Sequence, residues 1–468
     1  MTKASPFFPF AAAGMLALTL LLVAACGGDG RLAPSDRDED TMAAKRLIEA
    51  ALEDTTAYQR LAELCDRFGG RSAGSKALEG ALHWAADTLR ADGAENVRLE
   101  PVTVTAWVRG AERLTLLEPG PRNLPLLGLG RSVGTPPGGI EAEVVVVSSF
   151  EDLERRGEAV RDKIVLYDFP MKEQSVMFGA YGEAVQYRTR GAERAARLGA
   201  VAVLVRSVTT RSLGTPHTGA MKPYVEDLPR IPAAAITIED AASLHRLADR
   251  GQTIRVRLEM EAREVPDQPS ANVIGELPGR EKPDEIVVIG APIDSWDVGQ
   301  GAHDDGAGVI YAIEALRLIR QAGLVPRRTL RVVLFTNEEK GNDGGKTYLA
   351  DHRAELDRHV AALEADTGGF APTGFSFSGG DEDAARLEAL MPLFAPLGKL
   401  EMTRGGAGAD IGPIVGKGVP GLGLRVDSTH YFDYHHSAAD TLDKVDESEF
   451  RRSLAAFTLM SWLLADSF

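Results

Sequence analysis

The chain has 468 residues, of which 52 are basic and 68 acidic, so its formal net charge at pH 7 is −16. An acidic surface repels a phosphate backbone, and this charge therefore argues against a nucleic-acid partner. The apolar fraction of 44% is typical of a folded chain of two or three domains, and two cysteines, Cys26 and Cys65, are too few for a disulfide framework or a cysteine-built zinc finger.

The N-terminal segment has the pattern of an export signal. Lys3 precedes a largely apolar run over residues 7–25, which ends in Val-Ala-Ala-Cys at positions 23–26. This resembles a bacterial lipobox, in which the signal peptide is removed and the cysteine thiol is acylated. We therefore predict a signal peptide over residues 1–25, lipidation of Cys26 and a tether over residues 26–41; an uncleaved membrane anchor is the alternative. The protein is then expected to be an exported bacterial lipoprotein, membrane-anchored at the periplasmic or cell-surface side.

Three patterns follow one another along the mature chain. Residues 41–68 and 76–91 have apolar side chains at helical spacing, and residues 96–104 alternate as in a strand. Between about 112 and 265, short apolar runs are separated by Pro and Gly, with one clear helix over 188–198. Beyond that, strands are predicted at 285–289, 330–335, 361–365 and 421–425, with helices at 306–320 and 447–464.

These patterns predict the fold class. Strands that are apolar throughout, without alternation, are typical of parallel strands covered by helices on both faces. The sequence therefore predicts an α/β fold with a doubly wound, mostly parallel sheet over residues 42–108 and 269–468. An inserted α/β domain is expected over residues 109–268.

Acidic residues and a histidine follow the predicted strands of the C-terminal part. They are Asp304, the neighbours Glu338 and Glu339, Asp366, and His436. Open α/β sheets place their sites at the carboxyl ends of strands, so these side chains are expected to meet. Carboxylates and imidazole without a thiolate fit a catalytic zinc ion with an open position, and a glutamate beside a bound water is a natural general base.

Several separated motifs resemble the co-catalytic zinc exopeptidases of the plasma glutamate carboxypeptidase (carboxypeptidase Q) type, which carry an inserted protease-associated domain. The motifs are Arg-Ser-Ala-Gly-Ser at 71–75, Gly-Ala-Glu-Arg-Ala-Ala at 191–196, Thr-Pro-His-Thr-Gly at 215–219, Asp-Ser-Trp-Asp-Val-Gly-Gln-Gly-Ala at 294–302, His-Ser at 436–437 and Asp-Thr at 440–441. The resemblance covers essentially the whole mature chain. It implies hydrolysis of dipeptides or short peptides and a zinc-exopeptidase fold with a protease-associated-like insert. It does not fix whether cleavage starts from the amino or the carboxy terminus, and it allows a homodimer.

The resemblance also implies a role for each site residue. Asp304 corresponds to the carboxylate that bridges two zinc ions, and Glu338 to the general base that takes a proton from water. Glu339 and His436 correspond to the other ligands of one ion. Asp366 corresponds to a ligand of the second ion.

The chain departs from the family at one ligand of the second ion. The family has His-x-Asp where residues 292–294 are Pro-Ile-Asp, and proline has no donor atom. Three outcomes are open: a single zinc held by Asp304, Glu339 and His436 with water in the fourth position, replacement of the missing ligand by His303, or a weakened enzyme. Asp294, which would orient the missing histidine, is expected to be idle.

Other functions of the same residues are also open. One is a single-zinc enzyme similar to a glutaminyl cyclase, and another is a non-catalytic peptide-binding lipoprotein. His430 and His435 are candidates for contacts to the oxyanion or the substrate, with a purely structural role as the alternative. Gly-Arg-Ser-Ala-Gly at 70–74 matches the serine-hydrolase elbow, but a helix precedes it where that motif needs a strand.

Overall fold

The computed structural model describes residues 34–174, 177–225 and 227–468. The predicted signal peptide and Cys26 lie outside these residues. Within the described part of the chain, no helix is both long enough and apolar enough to cross a membrane.

The helices and strands fall into three consecutive stretches. The first holds α1 (Pro34–Glu53), α2 (Thr56–Phe68), α3 (Lys76–Ala91) and β1 (Glu95–Val108). The second holds β2 (Glu112–Glu118), β3 (Arg122–Leu124), β4 (Leu126–Gly128), β5 (Ile140–Val147), α4 (Phe150–Arg156), β6 (Ile164–Tyr167), α5 (Met177–Arg197), β7 (Ala202–Arg206), β8 (Ala233–Ile236), α6 (Ile238–Asp249) and β9 (Arg255–Met260). The third holds β10 (Arg263–Leu277), β11 (Lys282–Pro292), α7 (Ala307–Gln321), β12 (Arg328–Phe335), α8 (Asp343–Asp351), β13 (His359–Glu364), β14 (Pro372–Ser378), α9 (Asp381–Leu390), β15 (Glu401–Arg404), α10 (Gly412–Val415), β16 (Gly421–Val426), α11 (Tyr431–Tyr434) and α12 (Glu447–Asp466).

The first and third stretches build an eight-stranded sheet in the order β1-β10-β12-β11-β13-β16-β14-β15. Its four central strands, β12, β11, β13 and β16, run parallel to one another. The pairs β1–β10, β10–β12 and β14–β16 are antiparallel. The α/β fold class is therefore confirmed. The sheet is mixed at its sides, in part because the chain leaves along β1 and returns along β10, which must run in the opposite direction.

Helices cover both faces of this sheet, as the uniformly apolar strands predict. In β11, Val287 and Ile289 belong to the core that also contains α7 and α12, whereas Ile286 and Val288 pack into the core beneath α8. Consecutive side chains of a strand point to opposite faces, so a strand covered on both sides must be apolar at every position.

The second stretch forms its own eight-stranded sheet, in the order β3-β2-β9-β5-β6-β7-β8-β4. Strands β5, β6, β7 and β8 are parallel, and two apolar cores lie against the sheet. Strand β10 of the first sheet begins at Arg263, before the predicted domain boundary at residue 269.

Two helices are longer than the sequence predicts. Helix α1 begins at Pro34, inside the stretch predicted as a tether, where Asp40 is buried and accepts a hydrogen bond from Ser467. Helix α5 begins at Met177 instead of residue 188, and its first turns carry Phe178 and Tyr181, whose rings contact that of Phe432. In both cases the stabilising partner is far away in the sequence, so the local pattern does not reveal it.

Candidate metal centre

The parallel strands of the first sheet end at one edge, and the predicted site residues follow them there. Strand β12 ends at Phe335, just before Glu338 and Glu339, and β13 ends at Glu364, just before Asp366. The remaining candidates lie on the turn between β11 and α7 and beyond β16: they are Asp304, His435 and His436. These six side chains line one cavity of about 240 Å³.

His436 lies between two carboxylates. Its Nε2 atom is 3.2 Å from Asp304 Oδ2 and 3.1 Å from Glu339 Oε2. Two donors around a tetrahedral zinc ion, each about 2.0–2.2 Å from it, are about 3.3–3.6 Å apart, so these contacts have nearly the spacing of ligands that share an ion. Apart from this contact with His436, Asp304 Oδ2 is buried without a hydrogen-bond partner among the described residues, which leaves it available to a cation.

His435 also comes close to this group. Among the described residues, the set of three donor side chains whose ligand atoms all lie within 4.8 Å of one another is Asp304, His435 and His436. However, the rings of His435 and His436 are stacked, with centroids 3.5 Å apart and planes 18° apart. A ligating imidazole holds the ion in its own plane, so two nearly parallel rings do not both point at one ion. The geometry therefore favours Glu339 as the third donor and leaves His435 as a wall of the cavity.

The carboxylates of the cavity make it suited to a cation. Burial, followed by repulsion from Glu339 and other acidic neighbours, raises the pKa of Glu338 well above its ordinary range. Burial, followed by repulsion from Glu338, raises the pKa of Asp366 in the same way. Clustered carboxylates in a low-dielectric site disfavour one another's charge, and a bound cation relieves that repulsion. The residues present therefore fit a divalent metal ion. Burial lowers the pKa of His435 well below its ordinary value, so its imidazole is neutral.

Asp440 fixes the turn that carries Asp304. Its carboxylate accepts the backbone N–H groups of Ala302, His303 and Asp304 at 3.1, 2.8 and 3.0 Å. Three hydrogen bonds to one carboxylate hold the backbone on both sides of the candidate ligand. The aspartate of the Asp-Thr motif at 440–441 therefore supports the turn of the candidate metal centre, a role that the sequence alone does not assign.

Arg71 fixes the loop before this turn. The side chain is fully buried and donates hydrogen bonds to the carbonyl oxygens of Ile293, Gly69, Gln300 and Gly301, at 3.0, 2.9, 2.7 and 2.9 Å. The Arg-Ser-Ala-Gly-Ser motif is thus explained by its arginine, which satisfies carbonyl groups that would otherwise be buried without partners. The Gly-Arg-Ser-Ala-Gly stretch follows α2, as expected of a turn after a helix.

Asp294 is not idle. It is fully buried, and its Oδ1 atom accepts the backbone N–H of Glu338 at 2.9 Å. The residue before Glu338, Asn337, has a φ of 61°, a left-handed conformation that is uncommon for residues other than glycine. His436 has a φ of 58°. Such conformations persist only where the surrounding structure holds them, and they cluster at functional sites.

Pro292 is the last residue of β11, where it pairs with Phe335 of β12, and its position relative to Asp366 follows from the strand register. In the parallel pair of β11 and β13, Gly290 is opposite Glu364, and continuing this register by two residues places Pro292 opposite Asp366. Position 292 therefore contributes only carbon atoms next to the carboxylate that, by resemblance, belongs to the second ion.

Two of the candidate histidines have partners elsewhere. His303 accepts the N–H of Gly369 at Nδ1, 3.1 Å away, and its Nε2 is 3.2 Å from the carbonyl oxygen of Lys444. Its ring also stacks on Phe370, with centroids 4.1 Å apart. His430 is exposed and contacts Asp433 through Nδ1 at 2.9 Å. Neither histidine lines the cavity.

The second sheet also contributes to the site. The Nδ1 atom of His217 donates to the carbonyl oxygen of His435 at 2.7 Å, and the N–H of Thr218 donates to that of His436 at 2.8 Å. Burial lowers the pKa of His217 to about 4, so its ring is a neutral, fully enclosed support for the ligand loop. The Thr-Pro-His-Thr-Gly motif thus holds the loop of the candidate ligand His436 across the interface of the two sheets.

Comparisons with known proteins agree with this geometry. The model of peptidase family M28 matches residues 272–460. Carboxypeptidase Q of Mus musculus is 43% identical over 426 residues, which are 90% of this chain and 89% of that protein. The crystal structure of a peptidase M28 precursor from Shewanella amazonensis SB2B is 36% identical, has a TM-score of 0.88, and is matched over 92% of this chain and 97% of that chain. The zinc aminopeptidase BSAP of Bacillus subtilis shares the fold at 20% identity, with a TM-score of 0.64 over 88% of this chain and 95% of that one.

Proposed function

The chain belongs to peptidase family M28 and is a metallopeptidase, and on this premise we propose that it is a zinc-dependent exopeptidase acting on dipeptides or other short peptides. The observation that carries the proposal is the contact of His436 Nε2 with the carboxylates of Asp304 and Glu339, in the same cavity as Glu338. The cavity measures about 240 Å³ and is walled partly by α5 of the second sheet, which favours small substrates over folded proteins.

Zinc is the metal that the donors favour. Two carboxylates and one imidazole, without a thiolate, supply the three protein ligands that a catalytic zinc ion with one open position takes. When bound there, zinc supplies an acidified water and polarises the scissile carbonyl group. Asp304, Glu339 and His436 would hold it, with His436 using Nε2.

Glu338 is proposed as the general base. It accepts a proton from the attacking water at its carboxylate and passes that proton to the nitrogen of the leaving amine. Its backbone N–H donates to Asp294, so the loop that carries the base is fixed before substrate binds. The neutral imidazole of His435, in the cavity wall, is a candidate hydrogen-bond donor to the carbonyl oxygen as negative charge develops there.

We propose one complete zinc site per chain. The second site of a two-metal enzyme would need a donor at position 292, and the proline there has none. The ring nitrogens of His303 contact Gly369 and Lys444, which argues against its acting as a substitute. Asp366 therefore remains in the cavity as a carboxylate without its full set of co-ligands.

We also propose that residues 109–268 are a protease-associated-like domain and that the protein is an exported lipoprotein anchored through Cys26. The support for the anchor is the sequence at 23–26, a small-residue site followed directly by cysteine. Cys26→Ser is expected to move the protein from the detergent phase to the aqueous phase of a Triton X-114 extract. A wild-type protein found wholly in the aqueous phase would contradict the anchor.

The function is tested with zinc-loaded protein and a set of dipeptides whose products are identified by mass spectrometry. Glu338→Gln is expected to lower kcat by about 10²–10⁴-fold while zinc content stays at the wild-type value. Glu388→Gln, an exposed change on α9, is the matched control and should leave kcat unchanged. A cyclised product would favour a cyclase, and a zinc-loaded wild type that binds peptides without turnover would favour a peptide-binding protein.

A further inference from the structure

Arg188 brings an unsatisfied positive group to the cavity. It lies on α5 of the second sheet, is only 6% exposed, and lines the cavity together with the candidate metal ligands. Its Nη1 donates to the carbonyl oxygen of Thr218 at 3.2 Å and its Nη2 to the hydroxyl of Tyr181 at 2.6 Å. In the part of the chain that the structure describes, its Nε has no hydrogen-bond partner. A guanidinium has five N–H groups, so more than half of its donors are unused.

The remaining contact of Arg188 does not satisfy it. Nη1 is 3.4 Å from Nδ1 of His436. Because Nε2 of that histidine faces the carboxylates, Nδ1 carries the hydrogen when a metal is bound and cannot accept from the guanidinium. The groups that touch Arg188 are therefore neutral: a carbonyl, a phenol and the edge of an imidazole. None of these contacts, among the described residues, is a carboxylate, so the buried guanidinium has no direct ion-pair partner, which is a costly arrangement without a ligand.

Gly219 leaves the space that this guanidinium occupies. At Gly219, which has a φ of 142°, a Cβ atom would lie 2.3 Å from Cζ and from Nη1 of Arg188. Any other residue at 219 would displace the side chain. The arginine, the glycine of the Thr-Pro-His-Thr-Gly motif and the ligand loop thus form one built unit.

The position of the guanidinium suits the end of a substrate better than the reacting carbonyl group. It approaches the Nδ1 edge of His436, whereas the candidate ion lies at the Nε2 edge of the same ring. The guanidinium therefore lies to one side of the candidate ion position and would not contact the ion. A peptide whose scissile carbonyl lies at the ion has its next carboxylate one residue further along.

We propose that Arg188 binds a carboxylate of the peptide substrate and so directs cleavage to the bond next to a free C-terminus. The inference rests on the proposed peptidase function and deepens it, since it fixes the polarity of cleavage. The planar fork of the guanidinium is matched to a carboxylate, which takes two parallel hydrogen bonds from it. The carboxylate is either the α-carboxylate or the side chain of an acidic C-terminal residue.

The test compares zinc-loaded wild type with Arg188→Gln and Arg188→Lys on alanyl-alanine, its C-terminal amide, and its N-acetyl derivative. Wild type is expected to prefer the free acid over the amide by about 10²–10³-fold in kcat/KM, the usual effect of losing one partner of a buried charge pair. Arg188→Gln is expected to lose this preference, and Arg188→Lys to keep part of it. The acid-to-amide ratio is insensitive to general damage to the ligand loop. Arg190→Gln, a change on the same helix away from the cavity, should keep the wild-type ratio.

The outcomes separate this inference from the proposed function. If wild type hydrolyses none of the peptides, the peptidase proposal fails. If wild type cleaves acid and amide equally, or Arg188→Gln keeps the preference, the role of Arg188 is overturned while the peptidase proposal stands. If Arg188→Gln has no turnover, titration calorimetry with alanine and alaninamide must show discrimination in wild type and none in the variant, and retained discrimination overturns the inference. Alanyl-glutamate and alanyl-glutamine show which carboxylate Arg188 binds. If Arg188→Gln loses kcat/KM only on alanyl-glutamate, Arg188 binds the glutamate side chain; if it loses kcat/KM on both peptides, Arg188 binds the α-carboxylate.

Discussion

Replacing Pro292 by histidine tests how this chain departs from a two-metal site. The observed pairing of β11 with β13 ends at Gly290 and Glu364, and extending it by two residues places residue 292 opposite Asp366. Adjacent strands are about 4.8 Å apart, and in-register side chains of parallel strands project from the same face. A histidine at 292 is therefore expected to stand next to Asp366. Together with Asp304 the two side chains supply three protein donors, the number that a catalytic zinc ion needs.

The size of the effect follows from electrostatics. Two metal ions in such centres are about 3.5–4 Å apart, and we take about 4 Å as the distance between a second ion and the charge that would develop on the carbonyl oxygen. At an effective dielectric constant of about 20, unit charges 4 Å apart interact by about 4 kcal/mol. If about half of this is gained only as charge develops, the barrier falls by about 2 kcal/mol, or about 30-fold in rate. We expect zinc content to rise from one to two per chain and kcat/KM to rise 10- to 100-fold.

The assay measures zinc by mass spectrometry after dialysis and dipeptide hydrolysis on the same preparation. Pro283→His is the matched control, because Pro283 is an exposed residue near the start of the same strand, and it should leave both quantities unchanged. Two tightly bound zinc ions in wild type, or a folded Pro292→His protein that still binds one, would refute the reasoning from the strand register.

Three further predictions concern the support of the site and of the fold. Asp440→Asn removes an acceptor from the turn that carries Asp304, and zinc affinity measured by chelator competition should fall about 10- to 100-fold. Arg71→Met strips four buried carbonyl groups of their donor and should lower the urea unfolding free energy by at least about 3 kcal/mol, whereas Arg67→Met, at an exposed arginine on α2, should change it by less than about 0.5 kcal/mol. Although burial opposes it, the contacts with Glu100 and Glu355 raise the pKa of His352 above its ordinary 6.5. The stability from this raised pKa is complete below pH 6.5 and is lost as pH rises through the raised value, so the destabilisation by His352→Gln should be larger at pH 6 than at pH 9. A pH-independent difference would show that the charge of His352 does not contribute.

The sequence predicts well those helices and strands that are stabilised by residues close by in the chain. The uniformly apolar runs around 285–289 and 330–335 predict buried strands because both faces of a strand must be apolar when helices cover both sides. The side chains Glu338 and Asp366 directly follow such strands, so their convergence is predictable from topology alone. Helix α5 shows the limit: its second half is amphipathic against its own sheet, while its first turns are held by Phe432, a residue beyond the end of β16.

The candidate site shows the same division. Neighbouring histidines have the same donor atoms in the sequence, yet packing gives them different environments. His303 is one residue from Asp304, but its ring stacks on Phe370 and its nitrogens contact the backbone. His435 is one residue from His436 and lines the cavity, with its ring stacked on that of the candidate ligand.

By itself, the sequence determines the α/β class, the order of the strands that end in carboxylates, the set of oxygen and nitrogen donors, and the absence of one donor at Pro292. These depend on residue type and on short-range periodicity, which the chain carries locally. Only the tertiary structure decides that Arg71 supports the loop before Asp304 and that Asp294 holds the loop of Glu338. It also decides that Arg188 reaches the cavity from α5, a helix that packs on the second sheet. Those contacts join residues far apart in the chain, and their geometry follows from how the two sheets pack against each other.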